Sequence, residues 1–175
     1  MFFFLPLILL VVLITNESGS GDTSVMAGVF FSPPFEDGVS FVINSEYGNR
    51  TNPFTNYGED FHTGIDLGAP VGTNIVASAD GVVVEVGFQA EGLGNYVYIE
   101  HDFGGITYYT AYGHMADNSI VVVEGQNVSE KEKIGVIGDT GKTTGIHLHF
   151  SIMSPELKFD EFNLVDPINA INGLN

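Results

Sequence analysis

Residues 81–87 read Gly-Val-Val-Val-Glu-Val-Gly and give the first indication of how this 175-residue chain folds. A run of β-branched residues between two glycines is typical of a strand that is bounded by turns. Similar runs follow at residues 95–100 (NYVYIE) and 106–112 (ITYYTAY), each after a glycine-containing turn. Strands that recur about every ten residues favour an antiparallel sheet.

The remainder of the chain continues this pattern. From Ser40 onward, short β-prone runs are broken by Gly, Asn and Asp, and no long stretch has the period of a helix. Further strands are predicted at residues 120–123, 134–137 and 147–153. We therefore predict a mostly β, single-domain protein built as an antiparallel sandwich or barrel.

The N-terminus is predicted to be separate from this domain. Residues 2–14 form an apolar run that is shorter than the ~20 residues of a bilayer span but matches the core of a secretory signal. We expect export, with residues 1–24 forming a cleaved signal peptide, or an uncleaved membrane anchor with a polar linker. A buried helix of the folded domain is the third alternative. Residues 25–44 are predicted to be a lead-in, and residues 45–175 the functional domain.

The composition excludes several kinds of partner. The net charge is −17, with only five basic residues, so phosphate groups of nucleic acids and anionic lipids should be repelled. We expect no nucleic-acid partner, and contact with a membrane only through residues 2–14 if they are not cleaved. The chain has no cysteine, so a bound metal would have nitrogen and oxygen ligands.

Three short stretches contain four of the five histidines: residues 61–66 (FHTGID), 111–115 (AYGHM) and 145–150 (GIHLHF). Two imidazoles and one carboxylate from these stretches would leave a fourth zinc position open for water, as in catalytic zinc sites. The remaining imidazoles could then transfer protons beside the metal. The fifth histidine, His101, precedes a turn and is predicted to be structural.

Spacing limits how these residues can meet. His147 and His149 are two apart on a predicted strand, so they share a face, and one can bind zinc while the other lies beside it. His62 and Asp66 are four apart and would share a metal on a helix, but would be ~13 Å apart in a straight strand. The surrounding residues are poor helix formers, so a segment bent at Gly64 is the preferred interpretation.

The sequence resembles the lysostaphin-type (LytM-like) zinc endopeptidases, which cut peptides of bacterial peptidoglycan. The resemblance covers residues 45–167. The residues that carry it are, in order, 47–53 (YGNRTNP), 62–70 (HTGIDLGAP), 72–73 (GT) followed by 79–83 (ADGVV), 94–97 (GNYV), 112–115 (YGHM), 138–141 (GDTG) and 147–150 (HLHF). The resemblance implies the β fold of that family, the duplicated hybrid motif, and a chain that acts as a monomer.

The resemblance also implies roles for individual residues. His62, Asp66 and His149 become the ligands of one Zn²⁺ per chain. His114 and His147 become the catalytic histidines. Tyr57 is a further candidate for binding the oxyanion, because it is close in sequence to the first ligand.

Other functions were weighed against a peptidoglycan endopeptidase. One is a non-enzymatic wall-binding or amidase-regulating module on the same fold, although such proteins lack the metal ligands. Another is a zinc peptidase that acts on proteins rather than on the cell wall. Residues 138–145 (GDTGKTTG) lack the order of a phosphate-binding loop, and we expect them to form a turn of the substrate groove.

Overall fold

The computed structural model describes residues 31–160 and 162–171. Within them the chain forms twelve strands and one short helix. In chain order these are β1 Val42–Ser45, β2 Gly48–Thr51, β3 Glu59–His62, β4 Ile65–Gly68, β5 Asn74–Val76, β6 Gly81–Gln89, β7 Gly94–Asp102, β8 Thr107–Met115, β9 Asn127–Val128, β10 Lys133–Val136, β11 Leu148–Met153, β12 Leu164–Val165 and α1 Pro167–Ala170.

One large sheet organises the molecule. Its strands lie in the order β1-β4-β11-β8-β7-β6-β9, with β12 also paired to β11. Two small sheets, β10 with β5 and β2 with β3, flank it. Every strand pair is antiparallel. The predicted mostly β, antiparallel fold is therefore confirmed.

The two faces of the large sheet carry different side chains because residues alternate along a strand. On β7, Val97 and Ile99 belong to the main hydrophobic core. Their neighbours Tyr96 and Tyr98 point to the other face and pack in a smaller cluster. This second face of the sheet bears the site described below.

Part of the predicted lead-in packs into the core. Phe31 and Phe35 are fully buried and belong to the main hydrophobic cluster. Phe31 bridges to Ile171 near the end of the chain, and Phe35 bridges to Ile75 on β5. The first strand of the large sheet, β1, also begins inside the predicted lead-in, at Val42. Residues 31–44 thus contribute to the stability of the same domain.

One strand prediction is wrong. Residues 120–123 are irregular and run beside β10, where the Val121 N–H donates to the carbonyl of Ile134 (3.1 Å). Val121 and Val123 are exposed, whereas Val122 is buried in the core and Ile120 packs against it. A run of β-branched residues forms a strand only where a neighbouring strand offers a continuous series of backbone hydrogen bonds. The bonding between residues 120–123 and β10 does not continue as such a series. The short helix α1, capped by Asp166, was not predicted.

The predicted signal or anchor, residues 1–24, and the first part of the lead-in, residues 25–30, lie outside the described residues. Among the described residues, no helix has both the length and the apolar character needed to cross a membrane.

Candidate metal centre

The sheet register places Asp66 directly opposite His149. Asp66 lies on β4 and His149 on β11, and the two are paired across the ladder. The residues on either side of Asp66, Ile65 and Leu67, belong to the hydrophobic core. Because side chains alternate along a strand, the two polar residues point together to the opposite face.

A bend of the chain brings His62 to the same point. His62 is the last residue of β3, and β4 begins at Ile65. Gly64 lies between them, so close to β11 that an added Cβ would collide with the carbonyl oxygen of Phe150. The predicted bend at Gly64 is present, and glycine is required there because the two backbones are in contact.

Three ligand atoms form a nearly equilateral triangle. His62 Nε2 lies 3.0 Å from Asp66 Oδ1 and 3.1 Å from His149 Nδ1, and those last two atoms are 3.0 Å apart. Bonds of about 2.0–2.2 Å at tetrahedral angles place zinc ligands about 3.3–3.6 Å from one another. The triangle is within a few tenths of an ångström of that spacing, so this group fits a metal ion.

The hydrogen bonds of the imidazoles show why a cation suits this triangle. His62 Nδ1 lies 2.7 Å from the backbone carbonyl of Glu46, which can only accept, so Nδ1 carries the proton. In the neutral ring His62 Nε2 therefore presents a lone pair to the Asp66 carboxylate. Two acceptors 3.0 Å apart repel each other unless a positive charge lies between them.

His149 is held in a compatible orientation. Its Nε2 lies 2.8 Å from the hydroxyl oxygen of Ser151, two residues along the same face of β11. The hydroxyl oxygen can accept a hydrogen bond from Nε2–H, which leaves the Nδ1 lone pair directed at the triangle. His62 and His149 would thus offer one ring nitrogen each, and each is oriented through its other nitrogen.

The second oxygen of Asp66 is bonded to the only arginine of the chain. Arg50 lies on β2, and its guanidinium bonds Asp66 Oδ2 at 3.2 Å, Asp60 Oδ2 at 3.1 Å and the Ser45 hydroxyl at 2.8 Å. The carboxylate is therefore fixed from both sides, by Arg50 and by the histidines.

The ionisation of Asp66 follows from these contacts. Burial acts to raise the pKa of Asp66, but the rings of His147, His149 and His62, which donate to the carboxylate when they are protonated, outweigh burial and hold the pKa well below its usual range. Asp66 is thus ionised at any physiological pH and presents a negative charge to a metal ion.

The other two predicted histidines form a second pair beside the triangle. The rings of His114 and His147 are 4.7 Å apart between centroids. Nδ1–H of His114 donates to the carbonyl of Thr140 at 2.9 Å, and Nδ1–H of His147 donates to the carbonyl of Gly145 at 2.8 Å. In both neutral rings Nε2 is therefore left with a lone pair, and that of His147 lies 3.4 Å from Asp66 Oδ1.

Their surroundings affect the two histidines in opposite ways. Burial lowers the pKa of His114 to about 4, against the smaller opposing effect of its bond to the Thr140 carbonyl. Burial also acts to lower the pKa of His147, but the hydrogen bond and charge of Asp66 outweigh it, and the net shift is upward. The pair thus combines two imidazoles of different basicity.

His114 has an unusual backbone. Its φ angle is +59°, in the left-handed region, near the end of β8. Its N–H donates to the carbonyl of Leu93 at 2.6 Å, which fixes this conformation. Left-handed residues other than glycine are uncommon and concentrate at functional sites. The kink turns the imidazole towards His147.

The remaining sequence candidates lie apart from the triangle. Tyr57 has 86% of its surface exposed and lies at the tip of the loop between β2 and β3, outside the residues that line the cleft. Its role in binding the oxyanion stays a prediction. His101 lies within β7, fully buried, with its nitrogens 2.8 Å from the Asp80 carbonyl and from the Thr110 hydroxyl. The prediction of a structural role fits these bonds, but the residue is in a strand and not in a turn.

A cleft of about 800 Å³ opens over both groups of histidines. Thr143 and Thr144 line it, as expected for the predicted groove turn at residues 138–145. Two lining residues, Arg50 and Lys142, were not assigned a role from the sequence. The scarcity of basic residues could have drawn attention to these two, because the chain has 22 acidic residues and only five basic ones.

Comparisons with known proteins agree with this geometry. A peptidoglycan DD-endopeptidase of Vibrio cholerae, ShyA, is 44% identical over 53% of this chain and 20% of its own. A zinc-containing peptidase from Vibrio cholerae superposes with a TM-score of 0.64 at 31% identity, over 80% of this chain and 39% of the other. The catalytic domain of lysostaphin from Staphylococcus simulans superposes with a TM-score of 0.61 at 26% identity, over 74% of this chain and 90% of the other.

The chain spans between a fifth and a third of the length of the first curated relatives it matches. The family profile itself covers residues 60–163, which include all three members of the triangle and both further histidines. This chain belongs to peptidase family M23.

Proposed function

We propose that this protein is a zinc-dependent endopeptidase that hydrolyses peptide bonds in the stem or cross-bridge peptides of bacterial peptidoglycan. The observation that carries the proposal is the triangle of His62, Asp66 and His149, with edges of 3.0–3.1 Å, at the base of an open cleft. Family membership supports peptidase activity, and the name of ShyA supports the substrate class.

The donor set suits one Zn²⁺ per chain. Zinc accepts imidazole nitrogen and carboxylate oxygen at tetrahedral positions, and three protein ligands leave the fourth position open. His62 would bind through Nε2, Asp66 through Oδ1 and His149 through Nδ1. When bound there, zinc lowers the pKa of a water molecule towards about 7 and polarises a peptide carbonyl.

His114 and His147 would handle the protons of the reaction. Each ring is oriented by an Nδ1–H bond to a backbone carbonyl, so Nε2 is the atom that faces the cleft and is able to accept a proton. A protonated Nε2 can then donate to a developing oxyanion or to the leaving amine. The two fixed imidazoles supply these roles without any rearrangement of the backbone.

The alternatives receive less support. A non-enzymatic wall-binding module would have no need for a buried triangle of ligands with two further histidines beside it.

We also propose that the protein acts outside the cytoplasm, where its substrate is found, as an exported monomer with residues 2–14 directing export. The apolar run supports this part of the proposal.

The test is hydrolysis of purified peptidoglycan by the full chain loaded with one equivalent of zinc. We expect new amino termini from the wild type, loss of both zinc and activity in His149→Ala, and zinc without activity in His114→Ala. Lys158→Gln, a change at an exposed residue that does not line the cleft, is the matched control. Full zinc binding with no cleavage of walls of several cross-link types would contradict the proposal, and cleavage of unstructured protein alone would favour a general protease.

A further inference from the structure

The two cations of the cleft differ in whether they already have partners. Arg50 bonds two carboxylates, those of Asp60 and Asp66. Lys142 has no carboxylate oxygen within 4.0 Å of Nζ among the described residues, and its Nζ lies 4.9 Å from the centroid of the Phe54 ring. Lys142 is therefore an exposed cation in the cleft whose charge is available for an incoming anion.

The backbone beneath Lys142 is fixed. Its N–H donates to the carbonyl of Gly92 at 2.9 Å, and the preceding Gly141 has a φ angle of +76° and is packed against Gly94. Two residues earlier, the Thr140 hydroxyl accepts from the Asn95 N–H at 2.9 Å. The loop thus holds the base of the side chain at one position on the rim, while the ammonium group can move.

The Phe54 ring keeps the ammonium group over the cleft. The loop that carries Phe54 is closed by Asn52, whose side-chain oxygen accepts from the N–H groups of Phe54 at 2.9 Å and Thr55 at 3.2 Å. A cation over an aromatic face is attracted only weakly at an exposed site. A carboxylate forms a stronger, charge-assisted bond with an ammonium group, so a substrate carboxylate can displace the ring.

The large net charge does not prevent this pairing. The Debye length is about 8 Å at physiological ionic strength, so exposed carboxylates farther than this from the cleft are largely screened from it. Local charges then decide which ligand is accepted. Asp60 and Asp66 are already paired, and Glu91 is the other carboxylate among the lining residues. A cleft lined by one cation without a carboxylate partner, Lys142, and by the carboxylate of Glu91 suits a ligand with one carboxylate better than a polyanion.

We propose that Lys142 is a specificity-determining residue that pairs with a free carboxylate of the peptide substrate. The inference rests on the proposed function, since it concerns the substrate of that same cleft. It narrows the substrate class to peptides in which at least one carboxylate near the scissile bond is free rather than amidated.

The test uses cross-linked stem-peptide dimers that are identical except that each free carboxylate is converted in turn to a carboxamide. The zinc-loaded full chain is compared with Lys142→Gln, Lys142→Arg and the control Lys158→Gln. For one amidation site, we expect wild type and Lys158→Gln to prefer the acid over the amide by about tenfold in kcat/KM, from the worth of one charged hydrogen bond. Lys142→Gln should reduce this preference to less than about threefold, and Lys142→Arg should retain it.

A binding measurement separates this inference from the proposed function. The dissociation constants of the same peptides are measured for His114→Ala and for His114→Ala with Lys142→Gln. The acid-over-amide preference should be present in the first and absent from the second, whether or not the wild type cleaves the peptides. If Lys142→Gln weakens the binding of acid and amide peptides by the same factor, or changes the binding of neither, then Lys142 does not recognise a carboxylate and the inference is overturned. Cleavage of the amides by every variant would leave the proposed function standing.

Discussion

Asp66 and His149 face each other across neighbouring antiparallel strands, with Oδ1 and Nδ1 3.0 Å apart. This relationship depends on the register of the sheet, because a slip of one residue would turn one of the two side chains into the hydrophobic core. Two ligands of the proposed metal site are thus positioned by the strand pairing of the large sheet. Only His62 reaches the site from outside the large sheet.

Gly64→Ala should destabilise the protein by about 1–3 kcal/mol, since the new methyl group would collide with the Phe150 carbonyl and force the backbones apart. The measurement is the free energy of unfolding in urea. Gly104→Ala is the control, because Gly104 has a φ angle of +69° but open space around it, so it tests backbone strain without collision. Because the collision lies between two ligand-bearing strands, Gly64→Ala should also weaken zinc binding, and Gly104→Ala should not. Equal zinc affinity in both variants would contradict this account of the bend.

Arg50→Gln should lower zinc affinity about 10–100-fold, the usual effect of removing a group that orients a ligand. The change frees Asp66 Oδ2 and lets the carboxylate rotate. Arg50→Lys should restore only part of the affinity, because one ammonium group cannot reproduce the fork that bonds both Asp60 and Asp66. Competition with a chromogenic chelator measures the affinity. An unchanged dissociation constant for Arg50→Gln would show that the histidines alone orient Asp66.

Ser151→Ala should reduce zinc affinity about tenfold by removing the hydroxyl that orients His149 through Nε2. The matched control is Ser78→Ala, because Ser78 is also fully buried but its hydroxyl has no hydrogen bond of normal geometry to any of the described residues. Both variants are compared by chelator competition and by thermal unfolding. Loss of zinc affinity in both would indicate a general loss of stability instead of a specific effect on His149.

The buried His101 should make stability fall in acid. Burial lowers the pKa of His101 in the folded state, so the unfolded chain binds more protons once the pH drops below about 6.5. The stability associated with the neutral ring is fully present above that pH and is lost as the pH falls towards the folded-state pKa. His101→Gln should be less stable at pH 8, yet lose less stability between pH 8 and pH 5 than the wild type. Parallel stability curves for the two proteins would refute the assignment.

Much of this structure could be predicted from the sequence. Valine-rich runs such as residues 81–87 indicate strands because β-branched residues fit a half-buried pleated surface. The motifs at residues 61–66 and 145–150 indicated a zinc site, and the resemblance to the lysostaphin-type endopeptidases implied that His62, Asp66 and His149 are its ligands. These signals are local, and each is contained in fewer than ten residues of sequence.

The features that escaped prediction depend on long-range contacts. Residues 120–123 look like a strand, but whether they form one depends on the space left beside β10. The bonds of Arg50 to Asp60 and Asp66 require β2, β3 and β4 to be placed in three dimensions. The position of Lys142 over Phe54 joins two loops that are far apart in sequence. No periodicity or spacing rule reports such contacts.

The left-handed backbone of His114 has a consequence for how this protein can evolve. Such a conformation costs about 1–3 kcal/mol for a residue other than glycine, and asparagine tolerates it better than most. Replacement by glycine or asparagine would relieve that cost while removing the imidazole. Selection for thermal stability alone would therefore favour replacement of histidine at this position. Retention of the histidine among related proteins would indicate selection for catalysis.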